Sequence, residues 1–69
     1  MTNYFFIVVN STNQVIVSNI YDYENDTQAT RDLVVGVQNV AEIMGDELLT
    51  FDIYKICGNT TERIHHEQI

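Results

Sequence analysis

Basic residues are scarce in this chain of 69 residues. Only Arg31, Lys55 and Arg63 stand against ten acids, for a net charge of −7. That shortage disfavours direct binding of DNA, RNA or an anionic membrane, because neutralising phosphates needs clustered Lys and Arg. Cysteine occurs once, at Cys57, so no intramolecular disulfide forms and a reducing cytoplasm is the expected compartment. Long apolar runs are missing too. Nothing approaches the roughly 20 residues of a membrane span. The run from Tyr4 to Val9 is too short for a signal-peptide core and lacks a basic leader. Glycine appears three times, always isolated, which excludes a glycine-rich phosphate loop. There is no nucleophile elbow, no paired histidine on a helix, and no repeat or linker.

What is present suffices for one small domain, residues 1–69, with a single core. Hydrophobic residues make up 45% of the chain, so packing outweighs disorder. A chain this short buries only about 60% of its unfolded surface, and oligomerisation would add stability.

One stretch organises the rest. From Asp26 to Met44, the residues Ala29, Leu33, Gly36, Val37, Val40, Ala41 and Met44 fall on one side of a helix. Gln28, Arg31, Gln38, Asn39 and Glu42 fall on the other. Asp26 is the expected N-cap and Gly45 the expected C-terminal stop. The segment Leu33 to Val37, rich in β-branched residues, is also compatible with a short buried strand. Gly36 on the apolar stripe suggests close approach of helix to sheet.

The remainder reads as strand. Tyr4 to Val9 is continuously apolar, as in a central strand or one covered on both faces. Asn10 to Asn13 forms a turn, with two-residue and four-residue hairpin loops both open. Val15 to Tyr21 is the second strand. Leu48 to Cys57 is the third, with Leu49, Phe51 and Ile53 alternating with polar neighbours. Gly58-Asn59 fits a two-residue turn, which pairs Cys57 with Thr60, Lys55 with Glu62 and Ile53 with Ile64. A short fourth strand, Thr60 to Ile64, and a frayed tail at 65–69 complete the chain. The three Asn-X-Thr matches at Asn10, Asn25 and Asn59 read as turn chemistry in the absence of a secretory signal. The order is β-β-α-β-β, an α+β antiparallel sheet with one helix on one face.

Catalysis is not expected. Cys57, His65, His66 and Glu67 lack zinc-site spacing, and adjacent histidines on a strand point apart. No cofactor or metal is implied, and a chain this size seldom builds a deep pocket. The acids are the more informative feature. Asp22, Glu24 and Asp26 precede the helix beside Tyr21 and Tyr23, and Asp46 and Glu47 follow it. Glu42 and Val35 sit on its outer face. A solvated face is one reading. The other is a partner-binding surface of Asp22, Tyr23, Glu24, Asp26, Val35, Glu42, Asp46 and Glu47, offered to a basic groove that ordinarily holds nucleic acid.

With its strands at Tyr4–Val9 and Val15–Tyr21, a helix entered through Thr27-Gln28-Ala29, and a closing hairpin, the chain resembles the small phage-encoded inhibitors. That group includes anti-CRISPR proteins, DNA mimics and inhibitors of host enzymes. The likeness is one of layout and charge over the whole chain and carries no motif residue across. It implies a protein of the host cytoplasm that blocks the basic surface of a host protein or protein–nucleic-acid complex without catalysis. A homodimeric assembly module, joined by an exposed edge strand or a helix face, is the expectation from a different class.

Overall fold

The computed structural model describes residues 1–44 and 48–68, with the side chains of residues 40, 43 and 44 outside that description. The described elements are β1 (Thr2–Asn10), β2 (Val15–Val17), β3 (Tyr21–Tyr23), α1 (Asp26–Met44), β4 (Leu48–Cys57) and β5 (Thr60–Gln68). All pairings are antiparallel, in the order β2-β1-β4-β5, with β3 also paired to β1 beyond the end of β2. The helix packs on one face, so the α+β layering is as expected. The core is Tyr4 and Val8 from β1, Phe51 and Ile53 from β4, and Ala29, Leu33 and Val37 from α1.

The apolar run places β1 in the centre of the sheet, where both of its edges are paired. Its alternate residues Tyr4, Phe6 and Val8 point beneath the helix and pair with Lys55, Ile53 and Phe51. Phe5, Ile7 and Val9 therefore point to the opposite face, because strand side chains alternate.

The β1–β2 connection resolves the open loop length. Asn10 N–H donates to Gln14 O and Asn13 has φ 62, which closes a three-residue loop with one left-handed residue, a common hairpin form. The buried Asn10 side chain holds it. Its Oδ1 accepts from Thr12 N–H, Thr12 Oγ1 and Gln14 N–H at 2.8–3.1 Å.

Several expectations are corrected. The second strand does not run unbroken from Val15 to Tyr21. Ser18 Oγ accepts from Phe6 N–H at 2.8 Å, taking the place of a backbone carbonyl. The register then shifts by one between Ile7↔Val17 and Tyr4↔Tyr21. The N-cap is Asn25, one residue earlier than expected. Its Oδ1 accepts from Gln28 N–H at 2.8 Å, and Gln28 Oε1 reaches back to Glu24 N–H, a near relative of the capping box. Gly36 is exposed, and a Cβ built there meets nothing within 4 Å, so close approach to the sheet is not its role. Gly45 as a helix stop, and Val40 and Met44 as stripe residues, lie outside the described residues or side chains.

The Gly58-Asn59 turn sets Cys57 opposite Thr60 and Lys55 opposite Glu62, as expected. Ile53 instead faces His65, because a bulge inserts Ile64 between the pairs at Arg63 and His65. The bulge lets two consecutive residues contact the core, since Ile64 packs on it and the His65 ring lies 5.8 Å from that of Phe51. Residues 65–68 are not a frayed tail. β5 continues to Gln68 because β4 offers unpaired backbone as far back as Thr50.

Candidate protein-binding surfaces

The helix start carries a compact polar cluster. Tyr4 is fully buried and its hydroxyl donates to Asp26 Oδ1 at 2.6 Å. Lys55 Nζ lies 3.3 Å from the same oxygen. The Tyr4 hydroxyl and the Lys55 ammonium hold the Asp26 carboxyl below the usual aspartate value. Burial, reinforced by the neighbouring carboxylate, pushes the Tyr4 phenol up. Asp26 in turn raises Lys55. Because Asn25 caps the helix, Asp26 is released to fix the first turn of α1 onto β1 and β4. Its Oδ1 is thus engaged with the sheet while the side chain stays half exposed.

The other candidate residues separate by position. Glu24 and Glu42 are exposed at the helix start and on its outer face, and Val35 is 52% exposed between them. Asp22 is exposed on β3 opposite Asn3, on the sheet face away from the helix. Tyr23 is only partly exposed and packs on Tyr4, with ring centroids 5.9 Å apart. Burial raises its pKa, helped by Asp32 and Tyr21. Tyr21 stacks on Phe6 at 6.5 Å. Asp46 and Glu47 lie outside the described residues.

Sequence reasoning missed how the acids divide between the two sides of the sheet. Glu24, Asp26, Asp32 and Glu42 belong to the helix or its entry. Glu62 pairs across from Lys55, and Glu67 lines a groove with Val34, Val37, Gln38 and Ala41, so both are on the helix side. The opposite face carries Asp22 and Asp52 among the described acids. Asp52 contacts His66 and lies 4.0 Å from Arg63. The alternation of strand residues would have shown part of this division, had the bulge at Ile64 been visible.

The helix-free face is largely apolar around β1. Val15 and Val17 are 64% and 59% exposed. They flank Val9 and Ile7, with which they pair. Phe5 stacks on Tyr54 at 5.3 Å with an interplanar angle of 15°.

Cys57 is exposed beside the turn, whereas His65 and His66 lie well along β5, one on each face. The groove under the helix, of about 380 Å³, is bordered by Leu48, Phe51 and the residues named above. Among the described residues its walls hold Glu67 as their single ionisable group. Among the described residues no helix is long and apolar enough to cross a membrane. No family model, curated protein or solved structure matches this chain.

Proposed function

We propose that this chain is a non-catalytic acidic binding protein of the cytoplasm, whose helix side covers a basic surface of a partner protein. The observation that supports this reading is the gathering of Glu24, Asp32, Glu42, Glu62 and Glu67 on the helix side. Carboxylates arrayed on one rigid surface match a groove lined by Lys and Arg, where a nucleic-acid backbone ordinarily lies. Such a surface speeds encounter and selects the partner by sign of charge. Inhibition follows by occlusion, as in the phage-encoded inhibitors that the layout resembles. Val35, exposed among polar residues, supplies an apolar contact within that surface.

The test is capture from a host lysate at low and high salt, using the wild-type protein and a variant with Glu24→Lys, Asp32→Lys and Glu42→Lys. Asp26 is left intact because it holds the helix to the sheet. A partner with a basic nucleic-acid-binding surface, released by salt and lost with the variant, is the expected result. Capture that survives both changes overturns the reading.

A further inference from the structure

We propose that the helix-free face of the sheet docks against the same face of a second copy of this chain, forming a two-fold β-sandwich. Two independent features of the fold support it. The first is an unmet demand for cover. β1 is apolar on both sides, the pattern of a strand buried on both faces, yet α1 covers only one. Phe5, Ile7 and Val9 therefore lie on a face without helix, extended by Val15 and Val17 on one flank and by Tyr54 on the other. A contiguous apolar patch of this kind marks a contact surface.

The second feature is charge, which selects the occupant. A chain of net charge −7 meets a copy of itself most easily where its acids are fewest. That place is this face. Here the described acids are Asp22, which is exposed, and Asp52, which lies beside Arg63 and His66, while Glu24, Asp26, Asp32, Glu42, Glu62 and Glu67 lie on the helix side. A strongly basic partner would find fewer carboxylates here than on the helix side, whereas a sparsely charged surface suits a like copy. A two-fold operation also requires a surface complementary to itself, which an apolar stripe with a sparsely charged border provides.

Taken over the two longer Cα extents, 33 × 20 Å, a whole face is on the order of 600 Å² per copy, so two copies bury at most about 1,200 Å², the lower end of specific interfaces. Aligned sheets pack about 10 Å apart with interdigitated side chains, a role open to the exposed Val15 and Val17. The acidic helix sides of both copies remain outward, so the dimer does not compete with the proposed partner surface.

Sedimentation equilibrium from micromolar to millimolar concentration tests the proposal. Three proteins are compared: wild type, Val17→Lys on the open face, and Ile16→Lys on the helix side of the same strand. Circular dichroism checks that each is folded, and Val15→Lys replaces Val17→Lys if the latter is not. The expected result is a wild-type dimer whose dissociation constant rises at least tenfold in Val17→Lys and changes less than threefold in Ile16→Lys. A wild type that stays monomeric to millimolar concentration overturns the proposal. So does a dimer indifferent to Val17→Lys. A dimer lost equally in both variants also overturns it, because that result assigns the contact to edge pairing of β2 instead. None of these outcomes bears on the acidic surface, which is read by the salt-dependent capture.

Discussion

The two faces of this sheet use the same strand in different ways. On the covered face, Tyr4 and Val8 are buried against Leu33 and Val37, and the Tyr4 hydroxyl has a charged acceptor. On the open face, side chains of the same types and the same strand remain partly exposed. The contrast teaches that one apolar strand can meet cover on one face only, here from α1. Residues of similar chemistry should then differ sharply in their effect on folding according to the face they occupy.

The strongest way to break that comparison is a pair of substitutions on the helix. Val37→Asp places a carboxylate in the core, where Val37 is 4% exposed. It should cost several kcal/mol, comparable to the stability of a domain this small, and thermal melting should find the variant unfolded. Val35→Asp, two residues earlier and half exposed, should change stability by less than about 0.5 kcal/mol. Equal destabilisation by both would show that the outer helix face is also covered.

A smaller effect is expected at the polar anchor. Tyr4→Phe keeps the ring but leaves Asp26 without its hydroxyl donor. The loss should be about 1–2 kcal/mol by urea denaturation, at the lower end because the Asp26 side chain is 49% exposed. The pH dependence has two limits. Asp26 has a folded-state pKa below its ordinary 3.8, so the unfolded chain takes up the proton first. The contribution is present above about pH 4 and is lost as the pH falls through the folded value. Tyr4 is shifted above its ordinary 10.0, so its contribution holds below that value and is lost as the pH rises through the folded one. Tyr4→Phe should flatten both limbs of the stability–pH curve.

Next comes Gly36→Ala. The site is helical, exposed and free of neighbours, so alanine should stabilise the fold by about 0.5–1 kcal/mol. A destabilised variant would mean that something occupies the space beside Gly36. The smallest effect belongs to the open face. In dilute monomer, Val17→Lys should alter folding stability by less than about 0.5 kcal/mol, in contrast to any charge placed at Val8 on the covered face of β1. A loss above 2 kcal/mol in urea melts of the monomer would erase the distinction between the faces.

Much of this architecture was legible because local signals agreed. The helix from Asp26 to Met44, its buried positions Ala29, Leu33 and Val37, and the turn at Gly58-Asn59 follow from spacing and turn chemistry alone. What escaped were choices made by tertiary partners. Asn25 and Asp26 are both good caps, and the contact that decides between them spans 22 residues, from Asp26 to Tyr4. The bulge at Ile64 depends on the core accepting two neighbours at once. The break after Val17 depends on a serine hydroxyl imitating a carbonyl. The candidate acids were visible as a set. Their division between faces was not, because the register of β5 assigns Glu62 and Glu67 to one side.

That serine hydroxyl has a consequence for growth of the sheet. An unpaired strand edge is a template, and a straight uncharged one invites chain after chain to add to it, as in fibrils. By satisfying Phe6 N–H with a side chain and shifting the register, Ser18 divides the outer edge into two steps of three residues, Val15–Val17 and Tyr21–Tyr23. No single incoming strand can follow both registers. Ser18 thus breaks this edge into two short steps rather than one straight template, which limits strand addition beside Val-Ile-Val.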